Sequence, residues 1–351
     1  MMKKFLRVPF ILIGLFYCFT STGQDIHFSQ FYETPLLINP ATTGSFNGDM
    51  RAIINYKDQW NSIAQPYRTG MFSFDMKLMK KKWNSVHLAA GLLVFNDQAG
   101  KSKFGTTQVN LSLAAILAAN DKNNFSVGLL GGFAQRGVKN TDLKWGNQFD
   151  GNSYNSSTPS GEEGTLNSNS FIYGDFGAGL NWNFITKPKN MSSNDKITVN
   201  LGVGVFHINQ PKQKLYVDDV QSLYAKIVVH GRSYLGIPNT TLAVIPSFLY
   251  MKQNSAQEIN VGGLIRYSLK EESKYTGLIK NSAVYLGGFF RVGDSFIPML
   301  MFELSDFAVG FNYDINISGL KSVSSGKGGF EISLRYIKGA ATKHSKGGAM
   351  F

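Results

Sequence analysis

This sequence has almost no cysteine, little charge and no apolar run long enough for a transmembrane helix. Of its 351 residues, one is cysteine (Cys18) and 17% are charged. We expect this cysteine to be removed with a signal peptide, and a mature chain without cysteine has neither disulfides nor thiol chemistry. Beyond residue 23 the longest apolar stretch is 88–95, whereas a transmembrane helix needs about 20 residues. Helical membrane proteins and disulfide-stapled secreted domains are therefore excluded.

Residues 1–23 have the pattern of a cleaved secretory signal peptide. A basic start precedes the apolar run 8–19, and small residues occupy the positions before a cut at Gln24. Cys18 could instead mark a lipoprotein, but the two residues before it are bulky aromatics that a lipoprotein signal does not favour. We therefore predict that the chain is exported and that the mature protein begins at Gln24.

Apolar residues alternate with glycine or small polar residues over one stretch of this chain after another. In one such segment Ile197, Leu201 and Val205 fall on one side, and Asn200 and Gly204 fall on the other. Side chains along a strand point alternately to its two faces, so each segment separates an apolar surface from a polar one. About fourteen such segments follow the export signal in a chain that is 43% hydrophobic. They predict an all-β protein, a transmembrane outer-membrane β-barrel of about 14 antiparallel strands.

The strand positions follow approximately from where each alternation begins and ends. The predicted strands are 50–60, 68–79, 85–96, 106–118, 124–136, 170–182, 196–207, 223–232, 241–252, 257–268, 282–292, 295–304, 307–317 and 328–338. Three segments fit less well, because 111–119 could be a short helix by composition, and Pro246 and Pro298 each remove a ladder donor. The predicted domains are a signal peptide at 1–23, a periplasmic N-terminal segment at 24–46, the barrel at 47–338 and a C-terminal tail at 339–351.

An even number of strands puts both ends of the barrel chain on the periplasmic side, since consecutive strands run in opposite directions. The two long polar links 137–169 and 208–222 then lie outside the cell. The periplasmic links near 183–195 and 269–281 are longer than such turns usually are, which counts against this register. Charged residues on the polar faces are predicted to point into the lumen, where they could pair across the interior. They are Asp75, Lys77, Asp314, Glu331 and Arg335.

The segment after the predicted signal peptide departs from the alternation. It combines an aromatic cluster, an extended stretch before Pro35 and a turn at Asn39 and Pro40. One interpretation is a strap that plugs or closes the periplasmic mouth of the barrel. The other is a docking element for a periplasmic or outer-membrane partner. The residues alone favour the strap.

Patterns typical of enzymes are missing from the sequence. The five histidines lack metal-ligand spacing, and neither a nucleophile elbow nor a phosphate-binding loop occurs. The loop 150–155 resembles a calcium loop only at its start, and a solvated loop is the simpler interpretation. The net charge of +12 is spread over turns and loops rather than gathered into the stripe that indicates nucleic-acid binding. We therefore predict that the protein is not an enzyme.

Two short motifs resemble the marks of a known family. The stretch 28–44 resembles the opening signature of the PorP/SprF family, outer-membrane proteins of the type IX secretion system of Bacteroidetes, and 207–212 resembles a second mark. The closing strand 330–336 is similar to the family's last strand, whereas the tail 339–351 departs from the pattern. The motif residues that we take as candidates for partner binding are Phe28, Ser29, Gln30, Phe31, Pro35, Asn39, Pro40, His207, Asn209, Gln210 and Pro211.

The resemblance implies an accessory role in type IX secretion, by binding rather than catalysis, and some family members are tied to gliding motility. The implied partners are outer-membrane lipid, components of the secretion machinery, and a secreted cargo protein with a C-terminal sorting domain. The long outer links would receive the cargo, and the N-terminal segment would contact the machinery. We expect no cofactor, no metal and no nucleic acid. The alternative is a passive porin or small-solute transporter, which a polar inner face would also fit.

Overall fold

The structure is a computed structural model, and it describes residues 25–61, 65–78, 86–139, 143–161, 170–186, 194–214, 221–270, 281–319 and 321–339. The predicted signal peptide and the predicted tail beyond residue 339 lie outside these described residues. The long links around 183–195 and 269–281 are described only in part.

Fourteen antiparallel strands close into a barrel. In chain order the sixteen strands of the described chain are β1 (Met50–Gln59), β2 (Tyr67–Lys77), β3 (Val86–Ala99), β4 (Phe104–Ala118), β5 (Asn123–Gly137), β6 (Ser170–Ile185), β7 (Ile197–Phe206), β8 (Lys212–Gln213), β9 (Gln221–Ser222), β10 (Lys226–Gly236), β11 (Leu242–Gln253), β12 (Ala256–Lys270), β13 (Ser282–Arg291), β14 (Ser295–Leu304), β15 (Phe307–Asn316) and β16 (Lys327–Lys338). Of these, β8 and β9 lie outside the barrel. The first and last strands close the wall, with Ala52 opposite Tyr336 and Tyr56 opposite Ile332. The predicted barrel is confirmed.

The short strands β8 and β9 stand apart from the barrel and form a separate two-stranded sheet. They lie in the link 208–222, where the sequence predicts no strand. Two-residue strands are too short for the alternation of faces to be readable, and this explains why the pattern missed them. The link therefore carries ordered structure of its own beside the mouth of the barrel.

The two faces of the wall match the alternation of the sequence. In β4, the outward side chains of Leu111 and Leu113 are 64% and 62% exposed, whereas those of Asn110 and Ser112 point inward and are buried. The region 111–119 is therefore strand as far as Ala118, and the alternative of a short helix is wrong. A closed sheet with an apolar outer band is the surface that a bilayer covers.

Pro246 and Pro298 lie inside strands although neither has a backbone N–H. The pairing of β10 with β11 omits Pro246, and the pairing of β14 with β15 omits Pro298. On its other edge each proline keeps a partner, Gly263 for Pro246 and Gly288 for Pro298. A strand tolerates proline at a position where its hydrogen bonds to the neighbouring strand are already interrupted, because the missing N–H would have had no partner there. Both strand predictions are therefore correct, and each proline leaves a local gap between two strands.

The helices of the described chain are short. They are α1 (Pro35–Ile38), α2 (Lys321–Ser324) and single 3₁₀ turns at Phe31–Glu33, Pro40–Thr42 and Gly146–Gln148. Within the described ranges, none of these helices is long and apolar enough to span a membrane. Three of the five lie in the N-terminal segment, before the first strand.

One side of the lumen is apolar, which corrects the expectation of a uniformly polar inner face. Strands β11 to β14 turn Ile245, Leu264, Phe289 and Met301 inward, where they are buried. Apolar side chains that faced a water-filled lumen would forfeit the free energy of burial, about 25 cal/mol per Å². Here they contact Phe31 and other residues of the N-terminal segment instead of water. The core of the molecule therefore sits inside the barrel.

The barrel has two mouths, a near end and a far end. The near end is where β1 begins and β16 ends, and the far end is where β1 ends and β2 begins. The links from β5 to β6 and from β7 to β10 are both at the far end, because the strands alternate in direction. The predicted topology places the near end in the periplasm and the far end outside the cell.

Candidate functional site

The N-terminal segment runs through the lumen from the far end to the near end. It starts at Asp25, beside the last residues of β7 and β11, and it enters β1 after Asp49, whose N–H donates to the Lys338 carbonyl at 2.9 Å. From Phe28 to Gly44 every residue except Leu37 is buried. The segment predicted at 24–46 thus lies within the barrel over its described part, 25–46.

A cluster of four charged side chains holds the segment at the far end. Asp25 Oδ2 lies 2.5 Å from His207 Nε2 and 3.0 Å from Lys226 Nζ, and His207 Nδ1 lies 2.8 Å from Asp175 Oδ1. Burial alone would lower the pKa of His207, but Asp25 and Asp175 outweigh it and raise that pKa to about 9. Burial alone would raise the pKa of Asp25, yet Lys226 and His207 hold it well below its ordinary value. Two cations and two anions therefore balance here at neutral pH.

The second motif forms a turn beside this cluster. His207 and Gln210 adopt left-handed backbone conformations, with φ of 53° and 42°, and the Gln210 N–H donates to the His207 carbonyl at 2.9 Å. Asn209 Nδ2 donates to the Gly174 carbonyl at 2.8 Å, which ties the turn to β6. Asn209 and Gln210 are exposed, whereas His207 and Pro211 are buried. The two motifs, far apart in sequence, therefore meet at the far end through Asp25 and His207.

Ser29 and Gln30 are anchored by side chains of the inner wall. Both backbone N–H groups donate to the Glu331 carboxylate, at 2.8 and 3.0 Å. Ser29 Oγ donates to Asp314 at 2.8 Å and accepts from Arg291 Nη2 at 2.7 Å. Arg291 in turn lies 3.2 Å from Asp314. The first motif is thus bound by three charged residues that belong to different strands of the wall.

Phe31 and Tyr32 fill the apolar side of the lumen. The Phe31 ring meets the Phe289 ring edge to face at 5.4 Å, and Tyr32 stacks on the same ring at 5.6 Å. On its other side, Tyr32 lies under the Arg232 guanidinium, with 4.5 Å from Cζ to the ring centroid. Aromatic pairs of this kind contribute about 0.5–1.5 kcal/mol beyond the area that they bury. Phe28 belongs to a second buried cluster with Leu36, Met71, Leu93 and Phe95.

Asn39 and Pro40 approach a part of the wall that is built of glycine. The Asn39 side chain accepts from the Ala41 N–H at 2.9 Å and donates to the Leu180 carbonyl at 2.9 Å. A Cβ atom added at Gly128 would overlap the backbone of Pro40 and Ala41. Glycine is needed at this position because another backbone comes so close. Pro35, which begins α1, is also buried.

All five charged residues that we predicted to face the lumen contact the N-terminal segment. Asp314 and Glu331 bind it as described above. Asp75 accepts from the Gly44 N–H at 2.8 Å, Lys77 Nζ donates to the Phe46 carbonyl at 2.8 Å, and Arg335 Nη1 lies 2.6 Å from Glu33 Oε1. Among the described contacts these five charges do not pair with one another across the interior, as the sequence suggested they could, because the segment occupies the space between the walls.

Sequence reasoning missed Asp25, Lys226 and Arg291, which complete these contacts. Lys226 and Arg291 occupy inward positions of alternating strands, as Glu331 does, so the alternation could have identified them. Asp25 had no such signal, because its role depends on where the chain before β1 lies. Both ring nitrogens of His207 face carboxylates, and this leaves neither nitrogen available as a catalytic base. Within the described ranges, no group of three or more His, Cys, Asp or Glu side chains could hold a metal ion.

Several solved outer-membrane structures are similar to this barrel. BamA from Haemophilus ducreyi, without its POTRA domains 1–3, has a TM-score of 0.41 at 9% identity, over 83% of this chain and 70% of that chain. CdiB from Acinetobacter baumannii scores 0.42 at 8% identity, over 82% and 60% of the two chains. A mutant of the TodX monoaromatic hydrocarbon channel scores 0.40 at 10% identity, over 86% and 93%.

A family model matches almost the whole described chain. It is described as type IX secretion system membrane protein PorP/SprF, and it matches residues 20–336. The matched range includes the N-terminal segment, the turn at His207 and all fourteen strands of the barrel up to Tyr336. A search of curated proteins found no match to this sequence.

Proposed function

This chain belongs to the PorP/SprF family of type IX secretion system membrane proteins, and we propose that it serves secretion by binding other proteins at the two ends of a closed barrel. The observation that carries the proposal is the filled lumen. From Phe28 to Gly44 the N-terminal segment is buried against the inner wall, except for Leu37. A barrel filled in this way offers its two mouths to partners rather than a channel between them.

At the far end, we propose that a secreted cargo protein binds the links around the mouth. Exposed apolar side chains support this assignment, since such groups away from the bilayer mark protein interaction sites. Ile208 and Tyr224 are each 50% exposed beside the His207 turn, and Phe149 is 56% exposed in the link from β5 to β6. The exposed Asn209 and Gln210 of the second motif lie next to Ile208.

At the near end, we propose that the links and the entry to β1 contact the secretion machinery. The candidate binding residues Phe28, Ser29, Gln30, Phe31 and Pro35 are buried, so a partner could touch them only by displacing the segment. Their proposed contribution is therefore indirect, because they hold the segment that closes the barrel. Asn39 and Pro40 also hold the segment, at the part of the wall that is built of glycine.

The cargo assignment predicts the effect of placing charge on the far-end surface. The double variant Ile208→Glu and Tyr224→Glu should lower the amount of cargo at the cell surface several-fold, because a charged side chain in an apolar contact costs about 2 kcal/mol or more. Mass spectrometry of surface proteins measures the loss. The double variant Ile208→Val and Tyr224→Phe, which keeps both side chains apolar, is the matched control. If the double variant to glutamate folds into a barrel and its surface proteins are unchanged, the cargo assignment is contradicted.

The alternative of a passive porin has weaker support. Polar residues cover only part of the inner face, and charged ones such as Asp75, Asp314 and Glu331 bind the N-terminal segment rather than facing open space. A solute path would require the segment to leave, together with the ion pairs at Asp25 and Glu33. We therefore place transport second to binding.

A further inference from the structure

The described part of the long link from β5 to β6 contains an ordered loop at the far end of the barrel. Residues 144–158 form this loop, which we call the Gln148 loop, because Gln148 is its single buried residue and is 8% exposed. Links longer than about 15 residues are uncommon in compact domains, and they are mostly either disordered or functional. Because residues 144–158 are ordered, they are a candidate for a function of their own.

Gln148 holds distant parts of the loop together. Its Oε1 accepts from the Trp145 N–H at 3.2 Å and from the Tyr154 hydroxyl at 2.7 Å. Its Nε2 donates to the Thr158 carbonyl at 3.0 Å, and its own carbonyl accepts from the Asn155 N–H at 2.8 Å. One buried residue thus connects four positions, so hydrogen bonds order the loop without a hydrophobic core.

The tip of the loop is a tight turn that presents two aromatic rings. Phe149 and Tyr154 pair as an isolated antiparallel bridge, so their side chains lie on the same face. Between them, the Asp150 carboxylate accepts from the N–H groups of Asn152 and Ser153, at 2.8 and 2.6 Å. Phe149 is 56% exposed and Tyr154 is 36% exposed. The rings therefore face solvent on a backbone that is already fixed.

Apart from its aromatic residues, the loop is polar and electrically neutral. Lys144 and Asp150 are its two charged residues, and their charges cancel. The Lys144 Nζ atom also lies 4.9 Å from the centroid of the Tyr154 ring. Asparagine, serine and glycine supply 8 of the 15 residues. Rigid aromatic side chains among these three residue types are typical of antibody loops, which bind protein surfaces. A neutral loop does not suit an anionic lipid surface, so the composition favours a protein partner.

We propose that the Gln148 loop is a preordered recognition loop for the secreted cargo protein, and that Phe149 enters an apolar pocket on that protein. A loop that is ordered before binding loses little conformational entropy when the partner arrives. An aromatic side chain that becomes fully buried is a common centre of the binding energy in protein interfaces. The identity of the partner as cargo rests on the proposed function, whereas the order of the loop rests only on the contacts of Gln148.

Limited proteolysis of the purified full-length barrel in detergent tests the order of the loop. Chymotrypsin cleaves after aromatic residues, and Trp145, Phe149 and Tyr154 offer it three sites. We expect Gln148→Ala to be cut in the loop about tenfold faster than the unsubstituted protein, because several hydrogen bonds no longer oppose local opening. Gln135→Ala, on β5 at the foot of the same link, is the matched control, since this glutamine is exposed and outside the loop. Equal cleavage of all three proteins would overturn the inference.

Mass spectrometry of surface proteins tests recognition by Phe149. Phe149→Ser and Gln148→Ala should each lower the amount of cargo at the cell surface several-fold, although Gln148 is buried beneath the surface that a partner would touch. Phe149→Leu keeps the side chain apolar and should retain most of the cargo. Unchanged cargo in folded Phe149→Ser protein, or a loss in that variant without a loss in Gln148→Ala, would overturn the inference. Stronger fluorescence quenching by brominated lipid in Phe149→Trp than in the unsubstituted protein would place the ring in the bilayer and would also overturn it.

Failure of this inference and failure of the proposed function give different results. If the double variant Ile208→Glu and Tyr224→Glu lowers the cargo and Phe149→Ser does not, the cargo binds the far end without the Gln148 loop, and this inference alone fails. If none of these variants changes the cargo, the cargo assignment itself fails, and recognition by Phe149 fails with it.

Discussion

His207 links the two motifs through its charge, and this makes the far-end anchor sensitive to pH. Its pKa is raised from 6.5 to about 9. A raised histidine pKa contributes stability that is complete below the unfolded-state value of about 6.5 and is lost as the pH rises through about 9. The contribution reaches about 3 kcal/mol, since one pKa unit corresponds to about 1.4 kcal/mol. The lowered pKa of Asp25 contributes stability that is lost only as the pH falls into strong acid, so it does not change the stability between pH 7 and pH 10.

We expect the thermal midpoint of the detergent-solubilised barrel to fall between pH 7 and pH 10. Lysine and tyrosine side chains also titrate near the upper limit, so His207→Gln is the comparison that isolates the histidine. The variant should be less stable at pH 7, because Asp25 and Asp175 lose their shared cation. Its thermal midpoint should then fall less between the two pH values. Parallel falls in both proteins would show that His207 does not carry the effect. The midpoint is read as the loss of heat-modifiable mobility on gels.

At the scale of elements, the path of the N-terminal segment can be tested with a disulfide. The hydroxyls of Thr43, in the segment, and Ser112, in β4, are in hydrogen-bond contact. Two cysteines at these positions would have their sulfur atoms close enough to bond, since a disulfide requires about 2 Å between them. The chain offers little background, because its single other cysteine is Cys18.

We expect Thr43→Cys combined with Ser112→Cys to form a disulfide under oxidising conditions. The readout is a shift in the mass of a proteolytic fragment, from two separate peptides to one linked peptide. Thr43→Cys with Ser247→Cys is the control, since Ser247 lies on β11 and has no contact with Thr43 among the described hydrogen bonds. Equal linkage in both pairs, or none in the first, would contradict the path of the segment.

The sequence predicted the wall well because each strand carries its own signal. In β4 or β7 the alternation depends only on neighbouring residues, and the outward face must be apolar wherever lipid covers it. It predicted the interior poorly, because what fills a lumen depends on contacts between distant parts of the chain. Ser29 and Glu331, for instance, are 302 residues apart.

Strands that are apolar on both faces did indicate that the lumen is filled. In β11, Ile245 and Leu249 point inward while Val244 and Phe248 point outward. A strand of a water-filled barrel would have polar residues at the inward positions, so these two already required an apolar partner inside. The motif at 28–44 was identified from sequence, but its partners were not, since they come from strands throughout the barrel.

At the scale of the whole molecule, the filled lumen predicts electrical behaviour. The intact protein in planar bilayers should show no large, steady conductance. Deletion of residues 25–46 should give an open pore if the barrel still assembles, because the inner wall would then face water. The same deletion should lower the thermal midpoint, since it exposes the inward apolar side chains of β11 to β14. A large conductance of the intact protein would favour the transport alternative instead.

The direction in which the segment threads the barrel also sets an order for biogenesis. Asp25 lies at the far end, although β1 begins at the near end, so whatever precedes Asp25 in the chain is joined to it at the far mouth. A signal peptide at 1–23, with its basic start, would have to be carried through the lumen ahead of the segment. We therefore propose that removal of the predicted signal peptide comes first, and that closure of β1 onto β16 around the segment comes after it. In this proposal the predicted cut before Gln24 is a step in barrel assembly as well as in export.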